Sequence, residues 1–260
     1  MNNLGGNETL ADKRVMVFEK YAPNNFWYRY RNKLIEYYLK RYTKTNDFLD
    51  IGCGNGIVIK HLRKNNDLRI SGCDINLKAL YYARRRNNKI YLFQYDLLKD
   101  TLERSYDTIG CFDVLEHIND DVKAIKSLYD LVRPDGYLLL TVPIDMKLWG
   151  MNDVVNEHKR RYNEERILRL VKDAGFQIVA WNRFTFLLYP ILRIVRYLQK
   201  EKTDILIDEL DEVSLRSFLN LNQGKVLNEI LYWIYLFEFI LIKVGIRLPK
   251  GGSVIILAKK

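Results

Sequence analysis

The sequence predicts an α/β protein whose core is a mostly parallel sheet. Segments typical of strands and helices alternate between residues 46 and 145, which is the pattern of βαβ units. The run at 137–142 is almost continuously apolar, as in a strand that helices cover on both faces. Seven strands are predicted, at 47–51, 69–74, 90–95, 107–112, 136–142, 176–182 and 253–258, with helices at 56–65, 76–87, 119–132 and 163–174.

The first strand ends at an acid and leads into a glycine-rich loop. Asp50 precedes Gly52, Gly54 and Gly56, which occupy alternate positions. Glycine accepts φ > 0 and has no Cβ, so the backbone can turn tightly here and approach a bulky ligand. A dinucleotide phosphate loop would instead have the spacing G-x-G-x-x-G. An acid at this place would repel a pyrophosphate and suits a ligand that carries an amino group.

Two further acids follow the next strands. Asp74 ends the second strand, 18 residues after Gly56. In nucleotide-binding βαβ units, an acid about 20 residues after the loop binds ribose hydroxyls. Asp96 follows the third strand, where a solvated turn residue is the alternative to a ligand contact.

The run Asp50–Gly56 resembles motif I of the class I S-adenosylmethionine (SAM) methyltransferases. The resemblance implies a Rossmann-like fold, a seven-stranded mostly parallel sheet with helices on both faces, and SAM as cofactor. It places Asp50 at the amino group of SAM, Asp74 at the ribose and Asp96 beside the adenine; a purely structural glycine turn is the alternative. The cofactor-binding residues expected are Asp50, Gly52, Cys53, Gly54, Asn55, Asp74, Ile75, Asp96, Leu97 and Asp113.

The fourth strand ends in a segment that supplies a candidate general base. His117 lies a few residues beyond the strand end, the edge at which open α/β sheets bind ligands. A histidine can take a proton from an acceptor hydroxyl near neutral pH. The segment resembles the L-E-H motif of small-molecule O-methyltransferases, including those of ubiquinone biosynthesis. Some of these hold a metal there, but one His beside Asp113 and Glu116 is a weak ligand set, so we expect no metal and a capping role for Glu116.

The loop after the fifth strand carries a second group of polar and aromatic residues. Trp149, His158, Arg161 and Tyr162 could bind an anionic or sugar-like acceptor, with His158 as a second catalytic candidate. The alternative is a loop that packs through its two aromatic residues, with solvated cations.

A longer resemblance, to the type 11/12-like group of bacterial and archaeal class I methyltransferases, covers nearly the whole chain. It implies that Trp27 and Arg31 also contact the acceptor, and its members look like enzymes acting on lipid-linked or surface-glycan precursors. The matching motifs are Phe26-Trp27-Tyr28 with Arg31, Pro134-Asp135-Gly136, Trp149 with Asp153, His158–Tyr162 and Pro249–Ser253.

Two signatures of other acceptors are absent from the sequence. The Pro-Pro-Tyr or Pro-Pro-Phe signature of amino methylation does not follow the fourth strand, and the Pro-Cys nucleophile of cytosine C5 methylation is also missing. These absences favour a hydroxyl or carboxyl oxygen as the acceptor. Together with the resemblance, this predicts O-methylation of a small-molecule or lipid- or glycan-linked acceptor, whose identity the sequence does not give.

The expected domain organisation places a large insertion before the last strand. Residues 1–45 form a helical cap, 46–183 the SAM-binding core, 184–250 a helical apolar insertion and 251–260 the last strand. The apolar stretch 226–248 approaches the length of a membrane span, but one crossing would separate the last strand from its sheet, and Glu238 lies at its centre. A packed cap, in the domain or in a homodimer, and an interfacial lid are the alternatives; we favour the lid.

Composition limits the partners and the compartment. A net charge of +10 permits an anionic membrane surface or nucleic acid. An RNA methyltransferase is the weaker alternative because no RNA-binding module is recognisable, and a non-catalytic SAM-binding scaffold is another. Three widely spaced cysteines and no secretory signal predict a cytoplasmic protein, peripheral at the inner membrane face if the insertion is interfacial.

Overall fold

The computed structural model describes residues 9–44, 46–64, 68–198, 210–219, 221 and 223–260. One sheet of seven strands has the order β3-β2-β1-β4-β5-β7-β6. Neighbouring strands are parallel except at β7, which runs antiparallel to β5 and to β6. The predicted α/β fold and mostly parallel sheet are confirmed. The strands are β1 (Asp47–Ile51), β2 (Arg69–Asp74), β3 (Tyr91–Gln94), β4 (Tyr106–Phe112), β5 (Val132–Pro143), β6 (Gln177–Phe184) and β7 (Ser253–Lys259).

Helices cover both faces of this sheet. Successive strand residues point to opposite faces, so Leu49 joins a core cluster with α5 and α7, whereas Phe48 joins one with α2, α3, α4 and α10. The helices of the described residues are α1 (Leu10–Tyr21), α2 (Phe26–Tyr42), α3 (Ile57–Leu62), α4 (Leu77–Arg86), α5 (Asp121–Leu131), α6 (Met151–Val155), α7 (Glu164–Asp173), α8 (Tyr189–Leu198), α9 (Glu212–Phe218) and α10 (Lys225–Lys243).

The start of β5 differs from the prediction. The strand begins at Val132 rather than at residue 136, and its pairing with β4 shifts register between Tyr106 and Thr108. Within this irregular stretch Asp135 has a φ of 63°, the left-handed region that glycine favours. The segment from Arg133 to Gly136 is therefore a distortion at the beginning of a strand that is longer than the sequence predicts.

The insertion between β6 and β7 contains three described helices with different partners. Helix α10 packs against α2, and its Glu238 is fully buried. That carboxylate accepts hydrogen bonds from the Tyr30 hydroxyl at 2.7 Å and from the backbone N–H groups of Thr185 and Leu187 at 2.6 and 2.9 Å. Glu238 thus joins α10 to α2 and to the end of β6. Within the described residues, none of the helices combines the length and apolar character needed to cross a bilayer.

Helices from both ends of the chain meet over the carboxyl edge of the sheet. Val17 of α1, Val155 of α6 and Leu215 of α9 belong to one buried cluster. Helix α8 lies beside the segment that follows β5, where the Tyr189 hydroxyl donates to Asp145 at 2.5 Å. The N-terminal helix and part of the insertion therefore enclose the edge at which the sequence places the site.

Candidate functional site

The sheet order brings the predicted site residues to one edge. β1 lies between β2 and β4, with Ile51 in register with Cys73 on one side and Cys111 on the other. All three strands are parallel, so the loops that follow them emerge side by side. Asp50, Asp74 and Asp113 therefore belong to one site although they are distant in sequence.

The glycine loop has the backbone that its sequence predicts. Gly52, Gly54 and Gly56 have φ values of 68°, 52° and 73°. A Cβ at Gly52 would overlap Val114, and one at Gly56 would clash with Asn87. At Gly54, in contrast, a Cβ would meet no atom of the described residues within 4 Å. Gly52 and Gly56 are thus required by packing, whereas Gly54 presents open backbone to a ligand.

Asp50 is a buried acid with unused hydrogen-bonding capacity. The residue is 1% exposed, and its Oδ2 has no hydrogen-bond partner among the residues that the structure describes. Burial raises the pKa of Asp50 to about 8; Arg31 opposes this increase and Asp74 adds to it. A buried carboxylate without a partner is costly, so a cationic ligand group would be strongly favoured here.

Asp74 attaches the glycine loop to the end of β2. Its oxygens accept hydrogen bonds from the backbone N–H groups of Gly54 and Asn76, each at 2.8 Å. Burial raises the pKa of Asp74, and these hydrogen bonds partly oppose that effect. Each carboxylate oxygen has a second lone pair, so both can also accept a ligand hydroxyl.

The residues after β3 have structural partners of their own. Asp96 accepts from the Leu98 N–H at 3.0 Å and pairs with Lys99 at 3.0 Å, and the hydrogen bond from Lys99 is the main cause that lowers its pKa. Leu97 is buried in the core, whereas Ile75, after β2, is exposed. The contact between Asp96 and the adenine therefore stays a prediction.

Arg31 and Asp113 form a nearly buried ion pair at the end of β4. The Thr141 hydroxyl also donates to Asp113 at 3.0 Å. The Arg31 guanidinium carbon lies 5.0 Å from the ring centroid of Trp27. The sequence predicts that Arg31 contacts the acceptor and that Asp113 contacts the cofactor. Because the two side chains pair directly, they would lie where the two predicted sites meet.

Two histidines meet beyond the end of β4. The rings of His117 and His158 are perpendicular, with centroids 4.8 Å apart. Nδ1 of His158 lies 2.9 Å from Asp153 Oδ1, which also accepts from Arg161 Nε at 2.8 Å. Asp153 therefore orients His158 and Arg161 together. Its role was missed, although Trp149-x-x-x-Asp153 preceding His158 was a usable signal.

The surroundings of His117 favour its neutral form. Burial of the ring against protein atoms lowers its pKa, as do its neighbours His158, Arg14 and Lys159, while hydrogen bonding to the Glu157 backbone raises it. Part of His117 is exposed, and water moderates the effect. Arg14, from α1, was also missed because no motif marks it; it binds the Val155 carbonyl at 2.8 Å and Glu157 at 2.6 Å.

Glu116 does not have the predicted capping role. Its side chain is fully buried, and neither carboxyl oxygen has a hydrogen-bond partner within the described part of the chain. Burial and then the charge of Asp113 raise its pKa well above the usual value. Ligand atoms of Glu116, His117 and His158 lie within 4.8 Å of one another and could hold a divalent cation once Glu116 is ionised.

The remaining acceptor candidates divide between the surface and the core. Trp149 is half-buried just before α6, whereas Tyr162 is 1% exposed. The Tyr162 hydroxyl donates to the Leu115 carbonyl at 3.2 Å and to Asp121 at 3.1 Å. Tyr162 thus fits the alternative of a packed loop, while Trp149 and Arg161 remain near the open edge.

Comparison with known proteins gives one family and several distant relatives. A family model for a methyltransferase domain matches residues 19–180. The ubiquinone biosynthesis O-methyltransferase of Yersinia enterocolitica is 25% identical over 177 residues, or 61% of this chain and 72% of that protein. A probable SAM-dependent methyltransferase of Mycolicibacterium smegmatis is 26% identical over 160 residues, 60% of this chain and 62% of that protein.

The fold is also similar to that of solved methyltransferases. Phosphoethanolamine N-methyltransferase 2 of Haemonchus contortus, in complex with SAM, aligns with a TM-score of 0.56 and 19% identity. The alignment covers 88% of this chain and 52% of that one, so this chain spans about half of the worm enzyme's length.

Proposed function

The chain belongs to the class I SAM-dependent methyltransferases, and from this premise we propose that it methylates an oxygen atom of a small-molecule or lipid-linked acceptor. The observation that carries the proposal is the exposed ring of His117, which lies at the same sheet edge as the glycine loop. An oxygen nucleophile needs a group that removes its proton, and we assign that step to His117.

The residues around the glycine loop fit the cofactor. SAM supplies an electrophilic methyl group on a sulfonium together with an amino group, a ribose and an adenine. We assign the unpartnered Asp50 oxygen to the amino group, the Asp74 oxygens to ribose hydroxyls and the open Gly54 backbone to close approach. Asp96 at the adenine stays a proposal from the resemblance.

His117 acts as the general base in this proposal. It accepts the hydroxyl proton as the acceptor oxygen forms its bond to the methyl carbon. His158, held by Asp153 at 2.9 Å, fixes the position of the His117 ring through their edge-to-face contact. A positioned base contributes about 10²–10⁴-fold, and the alignment of the two reactants contributes more. No step requires a metal.

The acceptor is proposed to enter between α2 and the loop after β5. Helix α2 carries Trp27 and Arg31, and the loop carries Trp149 and Arg161; aromatic and cationic side chains of this kind suit an aromatic or anionic group. Oxygen methylation also agrees with the name of the Yersinia relative. RNA methylation and a non-catalytic scaffold remain the alternatives.

A transfer assay separates these alternatives. Membrane, glycan, RNA and small-molecule fractions of a cell extract are incubated with the protein and SAM labelled in its methyl group. Label in the lipid or small-molecule fraction that is lost with His117→Ala supports the proposal. Label in RNA alone would identify the RNA enzyme, and no transfer to any fraction by SAM-binding protein would support the scaffold.

A further inference from the structure

A strongly basic cavity is lined by residues of α2 and α3, and His117 is not among its lining residues. It has a volume of about 360 Å³. Six of the side chains that line it carry or can carry a positive charge: Arg29, Lys33, Lys60, His61, Lys64 and Arg86.

Most of the positive charge of this basic cavity comes from two helices. Arg29 and Lys33 are four residues apart on α2, and Lys60 and Lys64 are four apart on and just beyond α3. This spacing places each pair on one side of its helix. Like charges at this spacing repel one another, and a bound anion would offset this repulsion.

Only half of these charges have an acidic partner. Arg29 pairs with Glu229, Arg86 with Glu19 at 2.6 Å, and His61 with Glu36 at 2.8 Å. In contrast, Lys33, Lys60 and Lys64 take part in none of the ion pairs found in the described ranges. Within the described ranges, three of the six cationic side chains therefore have no acidic partner.

Two further features bear on what the basic cavity can bind. The Arg29 guanidinium carbon lies 3.7 Å from the ring centroid of Tyr232, and this stacking orients the guanidinium group. Asn32 is 3% exposed and also lines the cavity, and its carboxamide oxygen has no hydrogen-bond partner among the described residues. A buried amide without a partner needs a ligand or water to complete its hydrogen bonds.

We propose that this basic cavity binds a phosphoryl group, either of a soluble phosphate compound or of an anionic lipid headgroup. The Arg29 guanidinium group and the lysines without an acidic partner among the described residues supply charge-assisted donors for the phosphoryl oxygens. The Asn32 carboxamide oxygen can accept a hydrogen bond from a neighbouring hydroxyl. A cavity of about 360 Å³ is at the small end of ligand sites, which fits a phosphate with a small substituent. This site is independent of the methyl-transfer proposal.

The test compares two double variants that lose the same charge. Lys33→Gln with Lys60→Gln removes two unpaired cations from the basic cavity, and Lys123→Gln with Lys126→Gln removes two exposed cations from α5. Arg86 is left unchanged because it also donates to the Asn55 carbonyl of the glycine loop at 2.7 Å. Calorimetry with pyrophosphate is the soluble probe, and vesicles with and without phosphatidylglycerol are the lipid probe. SAM affinity reports whether each variant is folded.

The cavity variant should bind pyrophosphate or phosphatidylglycerol vesicles at least about tenfold more weakly than the unchanged protein, because two charged donors are lost. The α5 variant should remain within about twofold, since its cations lie elsewhere. If only vesicle binding is weakened in the cavity variant, the ligand is a lipid headgroup. If only pyrophosphate binding is weakened, the ligand is a soluble phosphate compound. Equal weakening in both variants, or no binding of either probe by the unchanged protein, overturns the proposal.

Discussion

At the residue scale, the site is defined by groups whose protonation the fold has changed. Asp50 and Glu116 are buried acids whose pKa values are raised, whereas the pKa of the His117 imidazole is lowered. Perturbed groups gathered at one cleft are typical of functional sites. Their protonation therefore offers direct tests of the proposed roles.

SAM binding should release a proton from Asp50. Its pKa of about 8 keeps the carboxyl mostly protonated at pH 7, whereas a cationic amino group needs the carboxylate. Calorimetry at pH 7 in two buffers of different ionisation enthalpy measures the release. Asp50→Asn should abolish this proton release and lower the affinity for SAM at least about tenfold. Asp74→Ala should lower the affinity for SAM but keep the proton release. Unchanged affinity for SAM in both variants would contradict the assignment of these two acids to the cofactor.

The same pKa affects the stability of the ligand-free protein. A folded pKa of about 8 lies above the unfolded value, so the contribution of Asp50 is fully present below about pH 4 and is lost as the pH rises through 8. SAM offsets this loss by pairing with the carboxylate. The stabilisation by SAM in thermal unfolding should therefore be larger at pH 8 than at pH 6.

His117→Ala should reduce turnover by about 100-fold or more and leave SAM affinity unchanged, because the base acts on the acceptor. The measurement is kcat under saturating SAM, with calorimetry for SAM binding. His158→Gln is the matched control and should have a smaller effect if His158 only positions the other ring. If His117→Ala keeps its turnover, the assignment of His117 as the base is wrong. If EDTA abolishes the turnover of the unchanged protein, a metal bound by Glu116, His117 and His158 is needed.

The acid limb of the pH–rate profile should lie below pH 6.5. Burial and then the cations around His117 lower its pKa, so the ring stays neutral below its ordinary titration range. Its contribution to stability is accordingly present above pH 6.5 and is lost as the pH falls toward the folded pKa. Arg14→Gln removes one of these cations and should move the limb to higher pH. A limb that does not move would exclude Arg14 as a cause.

At the element scale, the insertion behaves as three separate helices. Helix α8 contacts the segment after β5, α9 packs with α1 and α6, and α10 packs on α2. That the insertion forms an interfacial lid stays a prediction.

Glu238 should be the residue of α10 on which stability depends most. Its replacement by Ala leaves the Tyr30 hydroxyl and two backbone N–H groups unpaired in the interior, at a cost of about 3 kcal/mol in the free energy of unfolding. Glu229→Ala on the same helix removes a partly exposed ion pair and should cost less than about 1 kcal/mol. Urea unfolding measures both, and equal losses would refute the buried role.

At the scale of the whole molecule, the outer face of α10 is the most prominent apolar surface. Val226, Ile230, Trp233, Phe237 and Ile240 are each at least half exposed and recur every three or four residues. The helix begins at Lys225 and ends at Lys243, and the chain carries a net charge of +10. This combination supports the proposal that α10 lies on an anionic membrane surface.

Trp233→Ser with Phe237→Ser should abolish binding to anionic vesicles. The two residues are exposed at 65% and 56%, so their loss removes apolar contact without disturbing the core. Co-sedimentation with phosphatidylglycerol vesicles measures the effect, and binding by the unchanged protein should fall as salt rises. If the unchanged protein binds no vesicles and sedimentation shows a dimer that the double variant lacks, the surface joins two copies of the chain instead.

The sequence by itself determined the elements and one edge of the site. Strand and helix periods are local properties, and parallel strands necessarily place their carboxyl ends together. The glycine loop, Asp50 and Asp74 could therefore be found from spacing alone. The prediction of a capping role for Glu116 failed because local sequence does not show whether a side chain turns toward a helix end or into the interior.

Tertiary structure alone decided which distant residues became partners. Arg31 and Asp113 are 82 positions apart, and Tyr30 and Glu238 are 208 apart. Such contacts depend on how helices pack over the sheet, and no local period encodes them. The same packing gathers unpaired lysines of α2 and α3 into the basic cavity and brings Arg14 toward His117, because burial and charge at a point in space depend on every segment that reaches it.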